Sequence, residues 1–320
     1  MEMKACAKEG KAAIHTTRVA TLDITVLMGG PSTEREVSLV SGTAIASALE
    51  RLGHKVTRAD ISPADLSALD RQGADLVFIA LHGDFGESGD VQELCEKRHL
   101  RYTGCGPHAS RLAINKDLAK DVFTRAGLLT PEGCVVELNQ PDLPSDFVPP
   151  LVVKPVDGGS SVDTTICRDK ASLDHALSTV LGKYGRGLVE KFVSGREFTV
   201  GVLGGQALPI IEVVVPDRGF YDYTAKYADG VGTQYRFDHG LSDSMVATMQ
   251  SAALEAHQAL GCRDMSRVDF ILDSSHRPIV LEINTIPGFT SHSLLPKAAA
   301  KAGIGFDALV EKLVSMAISR

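Results

Sequence analysis

Three oxygen-bearing side chains and one guanidinium fall on two short apolar segments near the C-terminus, in the run SRVDFILDSSHRPIVLEIN (Ser266 to Asn284). Strand side chains alternate between faces with period two, so Arg267 and Asp269 share one face, and Glu282 and Asn284 share another. SSHR reads as a polar turn that folds the two segments into a hairpin. If Asp273 pairs with Pro278, Asp269 stands opposite Glu282 and the four side chains converge on neighbouring strands. Hard oxygen ligands without His or Cys suit Mg²⁺, which takes one or two carboxylates and completes its shell with water and nucleotide phosphates. The solvated outer face of an antiparallel sheet would carry the same residues, so the hairpin alone leaves both readings open.

Two lysines elsewhere favour the first reading. Lys154 ends the apolar strand PLVVK and Lys191 sits within LVEKFV, both unusual places for a solvated charge. Lys154 is followed by DGGSSVD (Asp157 to Asp163), a loop whose successive backbone N–H groups could cradle phosphate oxygens, although GGSS also occurs in ordinary turns. The chain has no G-x-x-x-x-G-K-[ST] and no G-x-G-x-x-G, which argues against a P-loop or a dinucleotide fold. Loop, lysines and carboxylate hairpin together point to ATP with magnesium, bound between two subdomains.

The elements that must position these groups are legible in outline. DITVLMGG (Asp23 to Gly30) reads as a buried strand entering a glycine turn. A helix then runs through Val40, Ile45, Leu49 and Leu52, with Gly53 as its stop. The strand ADLVFIAL runs into HGDFGESGD, and this alternation of strand and helix indicates a parallel α/β unit with ligands gathered at the strands' carboxyl ends. A second unit begins near Thr103, with a helix over Asn115 to Ala126, the Pro-rich connection QPDLPSDFVPP, a helix near Ala171 to Leu181 and the strand GLVEKFV. The third opens with the strands EFTVGVLGG and QALPIIEVVV and passes through a tyrosine-rich loop, Pro216 to Tyr235. It continues with a helix bearing Met245, Met249, Ala253 and Leu260 on one stripe, and ends with the hairpin and a short helix, Phe306 to Ile318.

A chain of 320 residues can bury two or three cores. Its net charge of −7 argues against nucleic acid as the main partner, since phosphate backbones need a basic surface. The six cysteines are scattered without a C-x-x-C pair, so reduced thiols in a cytoplasm are expected rather than a disulfide framework or a zinc site. No apolar run approaches the roughly 20 residues that span a bilayer. Met1 to Leu22 lacks the apolar core of a secretory signal; it reads as a loosely ordered extension, vector-derived sequence or a mis-assigned start.

From Ile24 to the C-terminus the chain resembles the ATP-grasp ligases, and among them the D-alanine–D-alanine ligases. The resemblance is carried by GGPSTEREVSLVSG, ALHGDFGESGD, VVKPVDGGSSV, EKFVSGREFTV, YDYTAKY, SRVDFILD and EINTIPGFTSHSLLP, all in the family's order. It implies an α/β and α+β fold of ATP-grasp architecture. After a disordered extension (1–22) would come a Rossmann-like parallel α/β subdomain that binds substrate (23–103), a small central subdomain (104–190) and a C-terminal antiparallel-sheet subdomain (191–320). ATP would lie between the last two. By the same resemblance Lys116 and Lys154 hold ATP phosphates, and Lys226 lies near the γ-phosphate. Glu190, Lys191 and Val193 match adenine-edge positions and Glu197 the ribose contact. Asp269, Glu282 and Asn284 match the ligands of two Mg²⁺ (or Mn²⁺) ions. Arg267 and the Gly288 N–H match the groups that stabilise a tetrahedral intermediate. Glu34, Ser160 and Tyr227 match a hydrogen-bonded triad around the first D-alanine, with His82 nearby, while Ser293 and Leu294 match contacts to the carboxylate of the second.

The implied reaction is ATP-dependent joining of two D-alanines through an acylphosphate, for peptidoglycan precursors, in a cytoplasmic homodimer, with Asp217 to Tyr235 as a closing lid. A related ligase with D-lactate, D-serine or another acceptor, and a non-catalytic nucleotide-binding homologue, are the alternatives. Tyr227 and Lys226 favour the dipeptide-forming type, and intact Arg267, Asp269, Glu282 and Asn284 count against a homologue without activity. Several residues have simpler readings: Glu34 as a helix N-terminal acid, Ser160 as a turn residue, Tyr227 as a half-buried aromatic, His82 as a satisfied core histidine. The chain also departs from the family pattern. Ser88 replaces an acid in GESG, Asp163 replaces glycine after GSSV, Asn115 precedes Lys116 where aspartate is common, and RFDHG replaces a proline-containing stretch. These departures bear on nucleotide affinity and turnover.

Overall fold

The computed structural model describes residues 21–215 and 233–320. Lys226, Tyr227, most of the candidate lid and nearly all of the N-terminal extension therefore lie outside the described residues. The first elements are β1 (Asp23–Met28), α1 (Arg35–Arg51), β2 (Lys55–Asp60) and β3 (Leu76–Ile79), the strands forming a parallel sheet in the order β2-β1-β3. Gly53 takes φ +92°, a conformation that costs glycine little, and the helix stops there as its sequence suggests.

The buried face of α1 differs from the expected stripe. Ile45 and Leu49 are fully buried, but Val40 is 55% exposed. Ser38, Ser41 and Gly42 occupy the inner face instead. A Cβ on Gly42 would meet Met28 Cβ at 2.5 Å, so the helix lies closer to β1 than a valine-lined face allows. The serines are satisfied internally: Ser38 Oγ donates to the Ala80 carbonyl at 2.7 Å. Close approach and hydrogen bonding decide this face, and apolar periodicity does not detect either.

Next come α2 (Asp90–Lys97), α3 (Pro107–Ile114) and α4 (Lys116–Arg125). Asn115 caps α4 by accepting from Leu118 N at 3.0 Å, so the amide in place of an aspartate still serves the helix end. A four-stranded antiparallel sheet follows, from β4 (Gly133–Glu137), β5 (Leu151–Pro155), β6 (Thr165–Cys167) and β7 (Arg186–Lys191), in the order β4-β7-β5-β6. It is backed by α5 (Lys170–Tyr184), which begins with an Asp169–Ser172 capping box and ends at Gly185, φ +74°.

The largest sheet holds β8 (Gly195–Leu203), β10 (Ile211–Val214), β11 (Gln234–Arg236), β12 (Met265–Asp273) and β13 (Pro278–Asn284), in the order β11-β10-β8-β12-β13. The short β9 (Gln206–Ala207) pairs with β8. One face of this sheet packs on α6 (Asp243–Ala259), α3 and α4. There Phe198, Val200, Val268 and Phe270 meet Met249, Ala253 and Phe123 in a core from which water is excluded. Each large side chain so buried contributes about 1.5–3 kcal/mol. Helices α7 (Leu294–Lys301) and α8 (Phe306–Ile318) close the chain and share a core with the parallel sheet. Along β12, Val268, Phe270 and Leu272 point into the core, which leaves Arg267 and Asp269 on the opposite, half-buried face.

The hairpin register corrects the sequence reading at its tip. Pro278 pairs with Leu272 rather than Asp273, yet Asp269 still pairs with Glu282 and Arg267 with Asn284. A bulge between Asp269 and Phe270 reconciles the two, because Leu281 is an extra residue with no partner across the ladder.

Candidate active site

Two cavities meet above the chemical face of the hairpin. The larger, about 470 Å³, lies between the four-stranded and the largest sheet, and its walls include Lys154, Glu190, Val193, Glu197, Asp269 and Leu281. The smaller, about 90 Å³, reaches toward the parallel sheet and includes His82, Glu87, Ser160, Arg267, Gly288 and Ser293. Glu34, Lys116, Gly158, Gly159 and Glu282 line both, so the two open onto each other at these residues.

At the inner end of the larger cavity Glu190 is 2% exposed and sits between two ammonium groups. Lys154 Nζ lies 2.7 Å from its Oε2 and Lys120 Nζ 2.6 Å from its Oε1. Burial pushes the Glu190 carboxyl upward, but the two lysines outweigh it and hold the group below its ordinary range. Burial depresses the Lys120 ammonium, which also donates to the Pro131 carbonyl and, at 3.2 Å, to Thr130 Oγ1. Lys191 is drawn outward to Glu132 at 2.8 Å and Asp146 at 2.6 Å, above the Phe147 ring. It borders the cavity without entering the Glu190 cluster. Val193 and Glu197 face the same space from β8 and the segment before it.

The glycine loop crosses the junction of the cavities. Lys116 Nζ donates to the Gly158 carbonyl at 2.5 Å and stands 3.9 Å from Glu282 Oε2. Ser160, in the left-handed region at φ +54°, donates its hydroxyl to Glu34 Oε1, and both residues are buried. A turn serine and a helix-terminal acid thus join across 126 positions of sequence. Their expected third partner, Tyr227, lies outside the described residues. The charge on Asp163 does not face the cavity unbalanced. Its Oδ2 accepts from Lys183 Nζ at 2.6 Å and Tyr184 hydroxyl at 2.5 Å, which holds the carboxyl below its ordinary range and pins the loop to α5.

On the hairpin face, Arg267 donates to both oxygens of Asp269, at 2.9 and 2.7 Å, and Thr199 donates to Asp269 Oδ1 at 2.5 Å. Asn284 Oδ1 accepts from Ile286 N at 3.0 Å, which fixes the amide with a carbonyl lone pair to spare. The oxygen donors fit a hard divalent cation. Two carboxylates face each other as a cross-strand pair and an amide oxygen follows two residues along. Among the described residues no group of three His, Cys, Asp or Glu could hold a metal unaided. The rest of a shell would come from phosphate and water.

The turn after β13 is held by a chain of hydrogen bonds. His82 is buried, with Nδ1 3.1 Å from the Ile286 carbonyl and Nε2 3.1 Å from Ser41 Oγ. A carbonyl only accepts, so Nδ1 carries the proton and Nε2 accepts from the serine. Ser41 Oγ in turn accepts from Phe289 N at 3.1 Å. Burial lowers the histidine's pKa, in keeping with a neutral ring. His82 therefore lines the smaller cavity while serving as a satisfied core histidine that fixes the turn. Within that turn a Cβ on Gly288 would meet Ser293 Oγ at 2.6 Å. Ser293 Oγ accepts from Thr290 N at 2.9 Å and makes no cap bond of its own to α7, whose first residue, Leu294, also lines the cavity.

Three contributors escape a reading by residue type. Lys120 follows Lys116 by four positions in NKDLAK, a helical spacing that places both on one face. Ser41 has no signal beyond its place in EVSLVSG. Glu87 stands in the quoted HGDFGESGD and accepts from Gly83 N at 2.6 Å. Burial, reinforced by the nearby Glu34 charge, pushes its carboxyl up to about 8.

Known proteins resemble this chain in sequence and in fold. Residues 137–315 match the family model described as D-ala D-ala ligase C-terminus. A D-alanine–D-alanine ligase of Synechococcus sp. (strain JA-3-3Ab) is 42% identical over 306 residues, covering 93% of this chain and 94% of the relative. One from Syntrophotalea carbinolica is 44% identical over 300 residues, covering 93% and 96%. Among solved structures, the D-alanine–D-alanine ligase of Bacillus anthracis superposes with a TM-score of 0.83 at 32% identity, covering 93% of this chain and 98% of that one. The same enzyme complexed with ATP gives 0.80 at 30% identity, with the same coverage. On the matched family model and on relatives that align across nearly their whole length, the chain belongs to the D-alanine–D-alanine ligase family, with the ATP-grasp fold.

Proposed function

We propose that this protein joins two D-alanine molecules into D-alanyl-D-alanine, cleaving ATP to ADP and phosphate through an acylphosphate. The observation that carries the reading is the junction of the two cavities. A nucleotide-sized space and a space fit for small amino acids open onto each other where Lys116, Glu282, the glycine loop and Glu34 converge. That is where a γ-phosphate and a substrate carboxylate would have to meet.

A carboxylate is a poor electrophile, so its oxygen first attacks the γ-phosphorus and ADP departs. Lys116, Lys154 and, from its place in YDYTAKY, Lys226 offset the crowded negative charge. Asp269, Glu282 and Asn284 would hold two Mg²⁺ or Mn²⁺ ions, which when bound neutralise phosphate charge. Glu190, Lys191 and Val193 border the adenine and Glu197 the ribose. Glu34, Ser160 and Tyr227 hold the first D-alanine. The carboxylate of the second sits at Ser293 and Leu294, at the N-terminus of α7, where backbone N–H groups favour an anion. Its amine attacks the acyl carbon, and Arg267 with the Gly288 N–H stabilises the oxyanion until phosphate leaves. The second amine's proton is lost and the peptide bond remains. Acylphosphates hydrolyse readily, so water must be kept out during transfer, the role assigned to the segment Asp217 to Tyr235. No helix among the described residues is long and apolar enough to cross a membrane. We place the enzyme in the cytoplasm, making peptidoglycan precursors as a homodimer, a state that sedimentation would read directly.

The test supplies Mg-ATP with D-alanine alone, and D-alanine with L-alanine, D-serine or D-lactate, measuring phosphate and identifying products by mass. D-Alanyl-D-alanine with stoichiometric phosphate is expected. ADP release with none of these substrates overturns the reading. Glu282→Ala should abolish turnover in a folded protein, and near-normal activity there would remove the metal assignment.

A further inference from the structure

The loop DGGSSVD is bracketed by two aspartates, and both are tied to the place where α5 gives way to β7. At its start Asp157 Oδ2 accepts from Arg186 Nη2 at 2.7 Å. At its end Asp163 Oδ2 accepts from Lys183 Nζ at 2.6 Å and from the Tyr184 hydroxyl at 2.5 Å. Lys183 and Tyr184 are the last two residues of α5, Gly185 follows, and Arg186 opens β7. The helix is packed against the four-stranded sheet through Leu173, Ala176, Val180 and Leu181, so these three donors stand on a rigid base. Between the aspartates, the Gly158 carbonyl accepts from Lys116 and the Ser160 hydroxyl donates to Glu34.

The backbone explains why the loop needs such ties. Ser160, Ser161 and Asp163 lie at φ +54°, +57° and +54°, a region that L side chains rarely adopt. Three such residues within four positions make a shape that a free chain does not hold, so surrounding contacts must over-determine it. Of the two aspartates, Asp163 is the better enclosed, with its side chain 24% exposed against 51% for Asp157. A carboxylate oxygen that takes two short bonds, one of them from an ammonium, is the stronger kind of acceptor. Gly158, Gly159, Ser161 and Val162 line the larger cavity, and Lys183 and Tyr184 line it beside them.

We propose that Asp163, through Lys183 and Tyr184, is a positioning residue for ATP, holding the glycine loop in its phosphate-binding shape before the nucleotide arrives. The proposal rests on the assignment of the larger cavity to ATP. A loop ordered in advance gives up little conformational freedom when a triphosphate binds, so the anchor acts on affinity. Arg267 and the facing carboxylates stand on β12 and β13, which the anchor does not touch. Its effect therefore falls on the KM for ATP and spares kcat.

The experiment titrates the full-length protein with a non-hydrolysable ATP analogue and Mg²⁺ by calorimetry, alongside Asp163→Gly, Asp163→Asn and Tyr184→Phe. Glycine takes a positive φ without strain, so Asp163→Gly removes the anchor and leaves the backbone free to keep its shape. Its affinity for the analogue should fall about tenfold, the scale of one charge-assisted hydrogen bond, and the KM for ATP should rise in step. Saturated kcat and the KM for D-alanine should stay near their original values. Tyr184→Phe should lose less, and should add nothing when combined with Asp163→Gly. Asp163→Asn, which keeps an acceptor, should recover part of the affinity. Amide hydrogen exchange over residues 157–164 should be slow in the nucleotide-free protein and faster in Asp163→Gly. Undiminished affinity in Asp163→Gly overturns the proposal, as does a fall in kcat with KM unchanged. Fast exchange of the loop in the unsubstituted, nucleotide-free protein overturns it without any variant. If the unsubstituted protein fails to bind the analogue at all, the ATP assignment of the cavity falls first and this proposal with it.

Discussion

Glu190 offers the most demanding check on the larger cavity. Glu190→Gln keeps the shape of the side chain but removes the negative charge between ammonium groups at 2.6 and 2.7 Å. Removing one partner of a buried ion pair costs about 3–5 kcal/mol. A second route bounds the same quantity. Lys120 can shed its proton, and neutralising a lysine of ordinary pKa at neutral pH costs at most roughly 4.5 kcal/mol. The two figures agree, so a loss near 3–4 kcal/mol is expected, lowering the melting temperature of a 320-residue chain by roughly 4–6 °C. The pH dependence has a definite sign. In the variant, burial holds the folded Lys120 pKa below its unfolded value, so above the folded pKa the unfolded state binds the extra proton and stability rises with pH. The deficit should therefore shrink between pH 7 and pH 9. Calorimetric melting at both pH values, with and without saturating Mg-ATP, measures it; ATP phosphates should restore part of the loss. A deficit below about 0.5 kcal/mol, the scale of an ordinary surface substitution, would show that Glu190 is not the counter-charge of a buried cluster.

Three further outcomes follow from the turn and the smaller cavity. Ser41→Ala removes the acceptor of Phe289 N–H and the donor to His82, and should cost about 1–3 kcal/mol in stability and lower kcat with little change in the KM for ATP; unchanged kcat would limit the relay to a structural role. Gly288→Ala sets a methyl 2.6 Å from Ser293 Oγ, a clash that displaces the N–H proposed to hold the oxyanion, so kcat should fall by about 10²–10³ while calorimetry still detects ATP binding. Glu87 binds its proton more tightly when folded, so its contribution is complete below pH 4.5 and is lost as pH rises through about 8. Glu87→Gln should flatten the fall in melting temperature across that window, and an unaltered pH profile would exclude Glu87 as its source.

The chemical face of the hairpin was legible because alternation alone sorts Arg267, Asp269, Glu282 and Asn284 from Val268, Phe270 and Ile283. The parallel sheet was legible for a similar reason, since buried runs and a glycine stop mark its elements. What escaped depends on contact rather than pattern. Val40 looks like a core residue until Gly42 brings α1 against Met28, and Ser41 looks like surface until His82 and Phe289 reach it. Lys120 has the composition of a solvated helix residue, and only the fold delivers Glu190 to it. Asp163 replaces a glycine in the loop, and nothing in the sequence marks Lys183, 20 positions away, as its partner.

The bulge at Leu281 divides the hairpin into two lengths of ladder that keep separate count. Beyond it, toward the SSHR turn, pairs follow one register; before it, at the site, they follow another. The turn can be lengthened or rebuilt, and the bulge shields Asp269 and Glu282 from the change. An unbroken ladder counted from the turn would set Leu281 opposite Asp269 and turn the carboxylate of Glu282 toward the phenylalanine core, because Val280 and Glu282 are two positions apart. Removing Leu281 would instead close the bulge, with Val280 still opposite Phe270 and Glu282 still opposite Asp269 in one continuous register. In this hairpin the residue with the least chemistry is the one that lets an acid and a valine two positions apart face opposite ways.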